Sequence, residues 1–123
     1  MIRDFNTFVS QLLVPEAIHP QPVIQYKTNV VGTAIVTNAF LPLIEKGAHK
    51  KVINISSAAC DPQFVEKTGY TAAVAYGISK AALNHISTKY AVEFRGKGYT
   101  FLAISPGLVD TRPDSRERQL PEV

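Results

Sequence analysis

KVINIS, residues Lys51 to Ser56, follows a helical stretch and is rich in β-branched residues, the pattern of a fully buried parallel strand. TFLAIS, Thr100 to Ser105, reads as a second such strand, stopped abruptly by Pro106-Gly107. Between them a long helix is predicted from about Thr71 to Arg95, ending at Gly96-Lys97-Gly98. Upstream, Val23 to Ile44 follows helical spacing. Val31, Ala34, Ile35 and Asn38 share one side, Val36, Phe40 and Leu43 another, and Gly47 is the stop. The intervening SAACDPQFVEKTGY, Ser57 to Tyr70, reads as a loop broken by Asp61-Pro62 and Gly69. Helix, strand, helix, strand is the alternation of an α/β protein with a parallel sheet.

Two strands are too few for such a sheet, since three or more are normally needed, and the helices are more apolar than so little sheet can cover. The missing strands are expected from another chain or from a longer version of this one. The isolated chain is expected neither to fold stably nor to bind a dinucleotide, because stability margins are only about 5–15 kcal/mol. Residues 1–22, interrupted by Pro15, Pro20 and Pro22, hold at most a short helix and a loop. Residues 112–123 read as an exposed, flexible tail, so residues 1–123 form one partial domain.

Composition narrows the function classes. The 123 residues are 46% hydrophobic and 19% charged, ordinary values for one globular domain. The net charge is +3, but the basic residues are scattered, with no basic stripe or aromatic platform, so no nucleic-acid partner is expected. Cys60 is the single cysteine, which fits a reducing compartment. Asn6, Thr7, Ser10 and Gln11 interrupt any apolar leader core, and the apolar run Val30 to Ile44 is too short to span a bilayer. A cytoplasmic protein with no membrane partner and no metal site is the expectation.

Three features carry chemistry. In VAYGISKAALN, Val74 to Asn84, Tyr76 and Lys80 stand four apart on one helix face, about 5–6 Å between Cβ atoms. An ammonium there favours the phenolate and makes the phenol a usable acid or base. A core tyrosine beside a solvated lysine would give the same spacing. Ser56 and Ser57 end the first strand, where open α/β sheets bind ligands, although serines also end strands merely by bonding backbone. Pro106-Gly107, in SPGLVDT, turns the chain at the end of the second strand and lets backbone approach a ligand closely.

Asn29 in YKTNVVG, Ser57 after VINIS, YGISK and SPGLVDT stand in the order and contexts of the short-chain dehydrogenase/reductase family. From about Tyr26 to Thr111 the chain resembles its small carbonyl-reductase-type members. The resemblance implies the C-terminal half of a Rossmann-like, doubly wound parallel sheet that lacks its N-terminal βαβ dinucleotide-binding half. It implies NAD or NADP as cofactor, with NADP preferred, and a small carbonyl or alcohol substrate. Tyr76 would be the general acid or base. Lys80 would tune Tyr76 and hold the nicotinamide ribose, and Ser57, rather than Ser56, would hold the substrate oxygen. Asn29 would kink its helix and hold a relay water. Pro106, Gly107, Val109 and Thr111 would border the nicotinamide. A full-length form would dimerise through helices 23–44 and 71–95.

The chain departs from that pattern in four respects. Its seven glycines, at 32, 47, 69, 77, 96, 98 and 107, nowhere form a glycine-rich phosphate turn after a strand. The strand and helix expected after the substrate loop are absent. Ser57 and Tyr76 are also further apart than is usual in the family, and Cys60 stands where glycine is common. The first functional reading is therefore an NAD(P)-dependent carbonyl/alcohol oxidoreductase, inactive as these residues alone. The alternative is a non-catalytic α/β module for interaction or dimerisation. A serine hydrolase is disfavoured, because no G-x-S-x-G elbow accompanies Ser57.

Overall fold

A computed structural model describes residues 21–107. The chain enters through a helix in three parts: α1 (Gln21–Tyr26), a π-helical turn (Lys27–Gly32) and α2 (Thr33–Lys46). Tyr26, Gly32 and Thr33 all keep right-handed helical angles, so the axis runs through both junctions. Thr33 donates its hydroxyl to the Asn29 carbonyl at 2.9 Å, an extra bond within the widened turn. Pro42 lies inside α2 and lacks the N–H that would bond the Asn38 carbonyl. Gly47 ends the helix, as the sequence indicates.

Strand β1 (Lys51–Ile55) follows, then a 3₁₀ turn (Ala58–Cys60), α3 (Pro62–Thr68), α4 (Val74–Glu93) and β2 (Thr100–Ile104). The strands pair in parallel, with Lys51 opposite Thr100 and Ile55 opposite Ile104. Only a crossover can join parallel neighbours, and α3 and α4 provide it.

Helix α3 corrects the expectation of a loop over 57–70. Asp61 caps it, its Oδ1 accepting the Gln63 N–H at 2.9 Å, Pro62 starts it, and Gly69 ends it in the left-handed region at φ 66°. The expectation that both strands are fully buried also needs correction. Asn54 Nδ2 donates to Ser87 Oγ of α4 at 2.7 Å, and Phe101 stacks on Tyr90, ring centroids 5.3 Å apart. Those contacts mark the covered face. On the opposite face Ile53, Ile55, Leu102 and Ile104 remain 53%, 52%, 48% and 43% exposed. Among the described residues no second helical layer covers them, so helices lie on one face where a doubly wound sheet has them on both.

Helices α2 and α4 are joined by Tyr90, whose hydroxyl lies 2.7 Å from Asn38 Oδ1 and 3.3 Å from the Ala34 carbonyl. The buried apolar residues among those described are few: Val30, Leu83 and Phe101. Buried Thr37, Asn54, Ser56, Ser79 and Ser87 outnumber them. The seam between helix and sheet is therefore held by polar pairs as well as by packing, which demands that each buried donor finds an acceptor.

Candidate active site

The two strands run out side by side, and the polar residues at their carboxyl ends meet α4. Ala58 donates its N–H to Ser105 Oγ at 3.0 Å, tying the two strand-end segments together. Ser57 caps the 3₁₀ turn, its Oγ accepting the Ala59 N–H at 3.2 Å. Ser56 is buried, with its hydroxyl 3.6 Å from Cys60 Sγ, whereas Ser57 is half-buried. Of the two serines, Ser57 is the one a ligand can reach.

Gly77 explains how α4 comes so close. A Cβ at this position would lie 2.8 Å from the Ala59 carbonyl oxygen, inside any real contact. Only glycine lets the helix lie against the turn that follows Ser57. Beside this contact Cys60, Val65, Val74, Ile78 and Ala81 help to line an apolar cavity of about 320 Å³. The helix leaves its loop through Ala73, a non-glycine residue in the left-handed region at φ 54°, ψ 44°. Such a conformation is costly for alanine and persists only where its surroundings enforce it.

Tyr76 and Lys80 sit one turn apart on α4. The Lys80 ammonium lies 5.6 Å from the centre of the Tyr76 ring and donates to the Ile55 carbonyl at 2.7 Å. Asn29, in the π-helical turn, donates from Nδ2 to Ser79 Oγ at 3.0 Å, and Ser79 donates in turn to the Tyr76 carbonyl at 2.8 Å. Asn29 thus reaches the backbone of Tyr76 through one hydroxyl. Among the described residues no hydrogen bond joins the hydroxyls of Ser57 and Tyr76.

Pro106 and Gly107 follow β2 at the same end of the sheet, Gly107 with φ +78° and open space where a side chain would begin. Val109 and Thr111 lie outside the described residues. Sequence reasoning did not single out Ser79 or Ser105 as supports. Ser79, three residues after Tyr76 on the next helical turn, carries a signal only once α1 and the π-helical turn are known to pack there. Cys60 was noted, but not its partners: its Sγ donates to the Ser57 carbonyl at 2.9 Å and accepts from Asn84 Nδ2 at 3.0 Å.

A family model described as short chain dehydrogenase matches residues 21–121. A short-chain dehydrogenase/reductase of Aspergillus aculeatus, AacuF, is 48% identical over 97 residues, covering 76% of this chain and 36% of its own length. One from an Arthrinium species is 43% identical, with coverages of 77% and 36%. An uncharacterized oxidoreductase of Schizosaccharomyces pombe is 40% identical, with coverages of 70% and 33%. The chain spans about a third of the length of these curated relatives. No solved structure gives a significant match.

Proposed function

The chain belongs to the short-chain dehydrogenase/reductase family, and from that premise we propose that it carries the proton-donating half of an NAD(P)-dependent oxidoreductase acting on a small carbonyl or alcohol. The supporting observation is the meeting of Lys80 with both the Tyr76 ring and the last carbonyl of β1. It occurs at the carboxyl end of the sheet, where open α/β folds bind their ligands.

The residues fit one end of the implied cofactor. Lys80 and Tyr76 would hold the nicotinamide ribose, and the open backbone at Pro106-Gly107 admits close approach of the nicotinamide. Nothing in the sequence supplies a glycine-rich cradle for the pyrophosphate. When bound, the cofactor supplies or accepts a hydride at the substrate carbon. The rest falls to this chain. Ser57 Oγ donates a hydrogen bond to the substrate oxygen, and Tyr76 Oη gives that oxygen its proton, so hydride and proton together convert carbonyl to alcohol. In the reverse direction Tyr76 takes the proton back. The Lys80 ammonium stabilises the phenolate left behind, and a water held near Asn29 restores the proton. The reading keeps NADP as preferred cofactor on resemblance alone, and the cytoplasm as compartment on the single thiol.

The test is isotopic. A protein carrying this chain with a complete dinucleotide-binding half is supplied with NAD(P)H deuterated at the transferable position and a panel of small ketones and aldehydes. Deuterium on the former carbonyl carbon of the product is expected; a panel with no transfer to any member would sink the reading.

A second reading has its own observation. Ile35, Val36, Phe40 and Leu43 of α2 and Ile78 and Val92 of α4 are all more than half exposed. These faces suit association with another copy through α2 and α4, in a full-length form or as a non-catalytic interaction module. Sedimentation of a well-folded monomer at assay concentration would count against it.

A further inference from the structure

Ser57 and Tyr76 must meet at one substrate oxygen, yet the chain between them passes through a 3₁₀ turn and α3 and is too long to fix their separation. Ties across space have to fix it instead. Three join this end of β1 and its turn to α4: the packing of Gly77 on the Ala59 carbonyl, the bond from Lys80 Nζ to the Ile55 carbonyl, and a strut from Asn84 through Cys60. In the strut Asn84 Nδ2 donates to Cys60 Sγ at 3.0 Å, and Cys60 Sγ donates to the Ser57 carbonyl at 2.9 Å. The remaining neighbour of the thiol, Ser56 Oγ, is more distant at 3.6 Å. Of the three ties, only the strut ends on Ser57.

Asn84 stands one turn beyond Lys80 and two beyond Tyr76, so the three lie along one ridge of α4. The helix that carries the proton donor therefore also grips the turn of the serine. The bond to Cys60 is the only hydrogen bond of the Asn84 side chain among the described residues, its Oδ1 being buried without a partner there. At the other end, the Ser57 carbonyl accepts from the Cys60 N–H at 3.2 Å as well as from the thiol, and Ser57 Oγ accepts the Ala59 N–H at 3.2 Å. Both oxygens of Ser57 are thus engaged as acceptors on the turn, and its O–H remains as a donor. An N–H donated into a hydroxyl oxygen also strengthens that hydroxyl as a donor. Glycine at position 60 could close the same backbone turn but would supply no strut.

We propose that Cys60 and Asn84 are positioning residues for the reaction. The thiol, held by the amide, sets the plane of the Ser57 carbonyl and with it the direction from which Ser57 Oγ meets the substrate oxygen. The proposal rests on the reading of Ser57 as the donor to that oxygen, and both residues act through Ser57. Sulfur itself is not required. The contacts of 2.9 and 3.0 Å are within the range of a hydroxyl, so an oxygen at the same point serves both partners. The position needs one atom that donates and accepts at once, which serine supplies and alanine does not.

The test is a double-mutant cycle in protein that carries this chain with a complete dinucleotide-binding half, read as kcat and KM for carbonyl reduction. Cys60→Ala should lower kcat about five- to tenfold, the scale of a misplaced orienting group, with the KM for NAD(P)H unchanged. In the Ser57→Ala background the same substitution should change kcat by less than about twofold, since no hydroxyl remains to be positioned. Cys60→Ser should restore wild-type kcat. Asn84→Ala cuts the strut from the helix side and should repeat the pattern of Cys60→Ala; it carries the cycle if Cys60→Ala does not fold. An equal loss in both backgrounds would make the strut a packing element and overturn the proposal. So would wild-type kcat in Cys60→Ala or Asn84→Ala, or a Cys60→Ser enzyme no better than Cys60→Ala. Wild-type kcat in Ser57→Ala itself would strike the reading of Ser57, and the role of the strut with it.

Discussion

Gly77→Ala places a methyl group where α4 meets the turn after Ser57. The new Cβ would stand 2.8 Å from the Ala59 carbonyl oxygen, and ordinary contact begins at 3.4 Å, so 3.4 − 2.8 = 0.6 Å must be found. The obstacle is backbone and cannot rotate away. It belongs to a 3₁₀ turn closed by Cys60 N–H to the Ser57 carbonyl at 3.2 Å and Asp61 N–H to the Ala58 carbonyl at 2.9 Å. The turn therefore moves as a unit, and Ser57, its cap, moves with it. Overpacking of this kind costs about 1–3 kcal/mol. If Ser57 orients the substrate as proposed, a displacement of this size should lower turnover about tenfold. The control is Gly69→Ala, at φ +66° with nothing within 4 Å. It should cost about 1–2 kcal/mol through the left-handed backbone alone and leave turnover of the folded enzyme unchanged. Urea midpoints and steady-state carbonyl reduction, both in protein with its complete sheet, measure the two effects. Wild-type turnover in Gly77→Ala, or an equal loss in Gly69→Ala, would refute the reasoning.

Other substitutions probe the supports. Ser87→Ala strands the buried Asn54 amide, which donates to it at 2.7 Å; a loss of about 1–3 kcal/mol is expected in denaturant unfolding. Asp61→Ala removes the cap of α3 and should cost about 1 kcal/mol, read as faster amide exchange confined to residues 63–69. Asn29→Ala cuts the path through Ser79 to the Tyr76 carbonyl. It should lower turnover by about tenfold or more while shifting stability by only about 1 kcal/mol, so a turnover loss fully matched by unfolding would contradict a role at the site.

Much of the element order was legible because apolar patterning separates five-residue β-branched runs from long helical periods. Lys51–Ile55 and Thr100–Ile104 lie where KVINIS and TFLAIS place them. Helix α3 escaped because its seven residues, between Asp61-Pro62 and Gly69, are too few for a periodic signal. Its cap, its N-terminal proline and its glycine stop were nonetheless all written in the chain. What covers each strand face could not be read locally. KVINIS is apolar enough for two faces, and the described residues cover one. At the site, Tyr76, Lys80, Ser57 and Asn29 were legible as motif residues. The hydroxyl of Ser79 and the close approach at Gly77 were not, since both depend on which elements pack together. Nor does spacing show that Lys80 rests on the Ile55 carbonyl, because that bond depends on how α4 packs against β1.

The most direct measurement of the central claim is the turnover of Tyr76→Phe in protein with a complete dinucleotide-binding half, with cofactor affinity determined on the same preparation. The phenyl ring keeps the packing on α4 and removes only the proton donor. The account expects turnover to fall by about 10²–10⁴-fold, the scale of a positioned general acid, with cofactor affinity within a few-fold of wild type. Turnover that survives the substitution would contradict it, and Tyr76 beside Lys80 would be two residues sharing a helix face.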